Sequence, residues 1–254
     1  MKTTKKMSFL QWNNIILISS IKKIDLNIIL IVILDILFYF LSGYSAIFWL
    51  QRIQAKMASF NLPTDIVSLG YDRAQQLIKD TRIFYYLILA SFILLFIAVI
   101  FLASILKGII WAKTTNTKIT MKFISKFLGL NLIWMGFWFV LVILISLFVE
   151  PASAPMFMIV IMILGAYFTN TLYTIFMKES KLKSILEAIK LNVVKIHLFL
   201  LPYLAISLLF FIILRLSNLL KFKYSSIFLG VVVLFYAAFA RYYASTLVVE
   251  IEKL

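Results

Sequence analysis

Residues 182–214 read LKSILEAIKLNVVKIHLFLLPYLAISLLFFIIL. The opening part sets Lys183, Glu187 and Lys190 apart from Ile185, Ile189 and Val193, the spacing of a short amphipathic helix. From about Lys195 an apolar run long enough to cross a bilayer takes over. The junction between the two parts is Leu191-Asn192-Val193-Val194. Leu130-Asn131-Leu132-Ile133 and Leu26-Asn27-Ile28-Ile29 repeat it. Each copy has a basic or polar stretch before it and a pair of apolar runs after it. The pattern predicts an all-α, polytopic membrane helical bundle of six spans. It divides into three repeats of surface helix plus helix pair, over about 8–106, 107–177 and 178–249.

Composition points the same way. The 254 residues are 64% hydrophobic and 14% charged, against roughly 25% charged in an ordinary soluble domain. Mean hydropathy is +1.06. A single integral membrane domain over 1–254 is expected. The absence of cysteine excludes disulfides, thiolate metal sites and a cysteine nucleophile. A net charge of +15 suggests nucleic acid in a soluble protein. Here the basic residues flank spans, so the positive-inside rule and anionic headgroups account for them, and no nucleic-acid partner is expected.

In chain order, Phe9, Trp12, Ile15 and Ile16 share a helical face, which predicts an interfacial helix. The stretch lacks the pattern of a cleaved signal peptide. The spans are expected near 26–50, 83–106, 129–149, 156–177, 195–214 and 226–249. Residues 51–82 are expected as a long loop, with turn signals at Pro63-Thr64-Asp65 and a helix cap at Asp72. Lys118, Lys122 and Lys126 recur every four residues, predicting a second headgroup-facing helix before the third span. Pro202 predicts a kink in the fifth. With the N-terminus inside, the inner segments hold about 17 of the 25 Lys and Arg residues. Both termini are therefore expected in the cytoplasm, and a plasma membrane is the expected residence.

Asp35 lies about 13 Å into the first span by helix rise. A carboxylate there costs about 2.5–3.5 kcal/mol on insertion scales. Arg241 lies at similar depth in the last span. Two readings stand: Asp35 pairs with Arg241, or each is settled alone, the acid protonated and the guanidinium snorkelling. Thr169, Asn170 and Tyr173 in the fourth span and Tyr242 in the sixth lie near that depth. Together with Asp35 and Arg241 they form either a polar pocket or ordinary interhelical bonds. Lys118, Lys122, Lys126, Lys183 and Lys190 are the candidate contacts to headgroups or a protein partner. His197 stands alone, and the carboxylates are scattered. No catalytic, cofactor or metal site is expected.

The repeated unit, carried by Leu26-Asn27, Leu130-Asn131 and Leu191-Asn192 with their preceding basic stretches, resembles a broad group of six-helix prokaryotic membrane proteins. It looks like the membrane domain attached to some glycerophosphoryl diester phosphodiesterases. The resemblance implies a scaffold and not that activity, because no catalytic phosphodiesterase residues are present. The expected function is a non-enzymatic membrane protein organising lipid or a partner at the cytoplasmic leaflet. The alternative is a transporter or permease subunit with a path past Asp35, Asn170 and Arg241.

Overall fold

The computed structural model describes residues 9–58, 70–217 and 224–254. Among these the chain is all-helical: α1 (Phe9–Lys22), α2 (Asn27–Ala58), α3 (Tyr71–Thr114), α4 (Met121–Phe148), α5 (Ala154–Glu179), α6 (Ser184–Val194), α7 (Ile196–Ser217) and α8 (Ser225–Glu252). Six of them, α2 to α5 with α7 and α8, are long and apolar enough to cross a membrane. This is a multi-pass membrane architecture. The chain, expected as one membrane domain, packs as two compact units: Met1–Ile36 with Ser104–Leu254, and Leu37–Ala103.

The long loop expected over 51–82 is helical at both ends. α2 runs on to Ala58 and α3 starts at Tyr71. The flanking stretches QRIQAKMA and DRAQQLIKD are rich in strong helix formers, so nothing in them stops a helix that has already nucleated. Gly70, at φ 73°, precedes the first turn of α3, a backbone setting open to glycine and costly for most other residues. The turn signals at Pro63-Thr64-Asp65 lie outside the described residues, as does the side chain of Asp72. α3 has 44 residues, about 66 Å of helix and about twice the hydrocarbon thickness.

The second surface helix is not present as a separate element. α3 continues through Lys107 to Thr114, and Asn116 then takes a left-handed conformation at φ 55°. Thr117 N–H donates to Ala112 O at 2.8 Å and Asn116 N–H to Lys113 O at 3.4 Å, the paired bonds of a helix-terminating Schellman turn. Thr120 then caps α4, its hydroxyl accepting from Phe123 N–H at 3.1 Å. Lys118 therefore lies in the extended segment between helices, and only Lys122 and Lys126 share a helical face. The four-residue spacing concealed a stop signal made of Asn116 and Thr120.

The three Leu-Asn junctions take three backbones. At Leu26-Asn27 a turn separates α1 from α2; at Leu130-Asn131 α4 runs straight through; after Leu191-Asn192 the helix breaks at Lys195. α7 passes Pro202 without interruption.

In the larger unit the core sits where α3, α5 and α8 finish and α4 and α7 begin. Phe127, Leu130, Leu172, Phe176, Phe199, Leu247 and Ile251 are fully buried there. Phe127 centres an aromatic cluster, with ring centroids 4.9 Å from Tyr173, 5.4 Å from Phe176 and 5.9 Å from Phe123. Gly108 makes room for it: a Cβ at that position would lie 3.1 Å from Phe127 Cδ1. The short helices pack on the same end. α1 lies against α8 through Ile16 and Ser20, and α6 lies against α5 through Ser184, Ala188 and Asn192. In the smaller unit Trp49 Nε1 donates to Ser91 Oγ at 3.0 Å and its ring packs on Phe92. Trp49 thus ties α2 to α3.

Candidate functional site

Asp35 is fully buried and meets two cations. Lys107 Nζ on α3 lies 2.6 Å from Oδ1, and Arg241 Nη2 on α8 pairs with Oδ2. α2 places the carboxylate through the turn spacing of Asn27, Ile31 and Asp35, which share one face. Ile31, Val32, Ile110, Ala238 and Tyr242 form the apolar cluster beside the three charges. The pairing of Asp35 with Arg241 is present as one half of a triad, and Lys107 is the member that the sequence reading missed. The signal available was its setting, Ile105-Leu106-Lys107-Gly108-Ile109-Ile110, one lysine inside an apolar run.

The triad carries one negative and two positive formal charges. Both carboxylate oxygens are engaged, one by each cation. Arg241 Nη1 is buried without a hydrogen-bond partner, so the surplus charge is on the basic side.

Of the other expected pocket residues, the three on α5 lie in contacts of their own. Along α5, Thr169 Oγ1 accepts from Trp134 Nε1 at 2.8 Å, and Asn170 Nδ2 donates to Tyr203 Oη at 3.5 Å. Thr171 Oγ1 donates to Asn192 Oδ1 at 2.7 Å, and Tyr173 Oη to Asn131 Oδ1 at 2.6 Å. Asn131 passes the chain on, donating to Ser104 Oγ at 3.0 Å. Tyr242 stands with Asp35 and Arg241, and its hydroxyl donates to Asp25 Oδ1 at 3.5 Å. The bonds of the six candidates thus fall into two sets, one along α5 and one around Asp35. The α5 ladder is interhelical bonding, and two of its acceptors are the asparagines of the Leu-Asn junctions. The third, Asn27, instead donates to Asp25 from its backbone N–H and its amide, at 3.0 and 2.6 Å, in an exposed turn.

The basic residues divide by partner. Lys183 pairs with Glu187 at 3.1 Å, Lys253 with Glu250 at 2.6 Å, and Lys178 with Glu252. Among the described residues no carboxylate lies within ion-pair reach of Lys113, Lys118, Lys122, Lys126 or Lys190. Lys23, in the turn between α1 and α2, donates to Thr246 Oγ1 at 3.1 Å. Burial holds its amine below the usual lysine value, a shift that Glu250 partly offsets. His197 is exposed, and no group of three or more metal-ligand residues occurs among the described residues.

Both short helices present a second apolar face outward. Ile15, Ile18 and Ile21 on α1 and Leu186, Val193 and Val194 on α6 are exposed while their opposite faces fill the core. The faces expected to be single are therefore double. An exposed apolar stripe beside lysines is the pattern of a helix lying in the headgroup region.

Comparison with known proteins brings no match: no protein-family model, no curated protein and no solved structure is similar to this chain.

Proposed function

We propose that this chain is a non-enzymatic integral membrane protein of the plasma membrane that gathers anionic lipid at the cytoplasmic leaflet, with both termini on that side. One observation carries the reading. At the end where the core is packed, α1 and α6 turn apolar side chains outward, and Lys122 and Lys126 on α4 and Lys190 on α6 have, among the described residues, no carboxylate within ion-pair reach. Apolar burial in the acyl boundary and attraction to headgroups act together on such a surface. The bias of basic residues supports the orientation, and it persists when Lys107 and Arg241 are removed from the tally as members of the buried triad.

The six-helix scaffold that the Leu-Asn units resemble fits this role. The transporter reading needs Asp35, Asn170 and Arg241 on one path. Asn170 is instead bonded to Tyr203, and both oxygens of Asp35 are taken.

The test compares two variants in lipid retention during purification. Neutralising Lys122, Lys126, Lys183 and Lys190 together to Gln is expected to lower retained anionic lipid and leave folding intact. Asp35→Asn is expected to lower stability without changing the lipid retained by the folded fraction. The opposite assignment of effects would move the function to the triad.

A further inference from the structure

We propose that the cleft between the start of α2 and the turn joining α3 to α4 binds the phosphodiester of one anionic phospholipid headgroup. The proposal deepens the lipid-gathering reading and rests on it.

The cleft has a volume of about 390 Å³ and is lined by Asn27, Lys113, Asn116, Thr117, Lys118 and Ile119, with Ala112 at its floor. That size falls in the range of small-ligand sites, about 300–1,000 Å³. Two lysines face it, and no carboxylate lines it. The nearest acid in sequence, Asp25, accepts from the backbone and side chain of Asn27, which turns it to Asn27 and leaves both lysines unneutralised. The extended segment adds neutral donors: among the described residues, the backbone N–H groups of Lys118 and Ile119 have no acceptor. Ammonium groups beside unpaired amides suit a phosphate oxygen anion, which accepts from several donors at once.

The walls are held in place independently of any ligand. Asn116 is locked in its left-handed turn, Thr120 caps α4, and Thr117 Oγ1 donates to Met177 O on α5 at 3.3 Å. The rim decides between a soluble phosphate and a lipid. Ile119 of the lining is 37% exposed, and Leu26, next to Asn27 in the chain, and Met121, two residues past Ile119, are 85% and 82% exposed, so apolar side chains are available beside the cationic cleft. A soluble anion gains nothing from them. A phospholipid sets its phosphate in the cleft and its glycerol and acyl region against the rim.

The test is calorimetric titration of the full chain in neutral detergent. The probes are a short-chain phosphatidylglycerol, the matching phosphatidylcholine and inorganic phosphate. The wild-type chain is expected to bind phosphatidylglycerol at one per chain, and the other two far more weakly. Lys113→Gln with Lys118→Gln is expected to weaken that binding by about tenfold or more. Lys56→Gln with Lys79→Gln removes the same charge at exposed lysines outside the cleft and is expected to cost less than about threefold. Asn116→Gly keeps the left-handed turn while deleting the amide, so its weakened binding is read on a chain of unchanged fold. Equal losses in the two lysine pairs, or no loss in Asn116→Gly, would overturn the cleft and leave diffuse lipid attraction standing. Inorganic phosphate binding as tightly as the lipid would overturn the lipid assignment. No preference for the anionic lipid in the wild-type chain would defeat the lipid-gathering reading along with the cleft.

Discussion

Lys107 and Arg241 approach Asp35 from different helices and take different oxygens of its carboxylate, Lys107 Nζ at Oδ1 and Arg241 Nη2 at Oδ2. The single acid thus ties α2 to α3 and to α8. Removing it takes the carboxylate from both cations in mostly apolar surroundings. Asp35→Asn is expected to destabilise by about 3–5 kcal/mol, the scale for breaking a buried ion pair. Lys107→Met removes the surplus charge and keeps a one-to-one pair, so its loss is expected to be about 1 kcal/mol or less on the same reasoning. Thermal unfolding followed by fluorescence size-exclusion ranks the two. A Lys107→Met loss equal to that of Asp35→Asn would mean that the triad acts as an indivisible unit.

The aromatic cluster gives a steric prediction. A Cβ on Gly108 meets the buried Phe127 ring at 3.1 Å, whereas at Gly129 it meets nothing within 4 Å. Gly108→Ala is expected to cost about 1–3 kcal/mol through overpacking, less the helix-propensity gain of up to about 1 kcal/mol. Gly129→Ala has only the gain and is expected to raise the unfolding temperature. Equal behaviour of the two variants would place Phe127 elsewhere.

The ladder on α5 is expected to contribute modestly, because interhelical hydrogen bonds in membranes average about 0.6 kcal/mol. Tyr173→Phe deprives the buried Asn131 carbonyl of its donor, and Thr171→Val does the same to Asn192. Each is expected to lower stability by about 0.5–2 kcal/mol, with little coupling between them, in a double-mutant cycle. Strong coupling would indicate a continuous network through α5.

Lys23 supplies a pH dependence. Burial lowers its folded-state value below 10.5, so the unfolded chain binds more protons in the window just beneath that value. Stability contributed through this residue therefore rises with pH across the window. Lys23→Met removes the buried charge. It is expected to unfold at a higher temperature than the wild-type chain near about pH 8, the difference shrinking as pH approaches the ordinary lysine value. A difference independent of pH would show that Lys23 acts only through its bond to Thr246.

Much of the helical architecture was legible in the sequence, because long apolar runs leave a chain few alternatives to spanning helices. All six expected spans coincide with helices. The surface elements were less legible. Lys118, Lys122 and Lys126 keep a four-residue period, but period carries no information about Asn116, whose left-handed conformation ends α3 before Lys118 is reached. The lengths of α2 and α3 were underestimated for a related reason: polar residues outside a bilayer read as loop although Gln, Ala, Arg and Lys continue a helix well. In the site, Asp35 and Arg241 stood out as charges in apolar runs. Lys107 meets the same criterion, but the lysines that follow it make it read as the start of a basic stretch. Thr169, Asn170 and Tyr173 shared a depth with Asp35, but depth fixes only position along the membrane normal and not which face of a helix meets which neighbour.

The cysteine-free chain allows sidedness to be read from single introduced cysteines. Lys122→Cys and Lys183→Cys are expected to react with a membrane-impermeant thiol reagent only after permeabilisation, and Gln75→Cys in intact cells. The reverse pattern would invert the orientation.

Anionic lipid at the packed, basic end is tested most directly by native mass spectrometry of the wild-type chain released gently from a mixed-lipid membrane. The expected spectrum carries the chain with bound anionic phospholipid, at an enrichment over zwitterionic lipid that falls when Lys113 and Lys118 are neutralised. A chain that emerges bare, or with lipid in the proportions of the membrane, or with a reproducible second polypeptide in place of lipid, would contradict it.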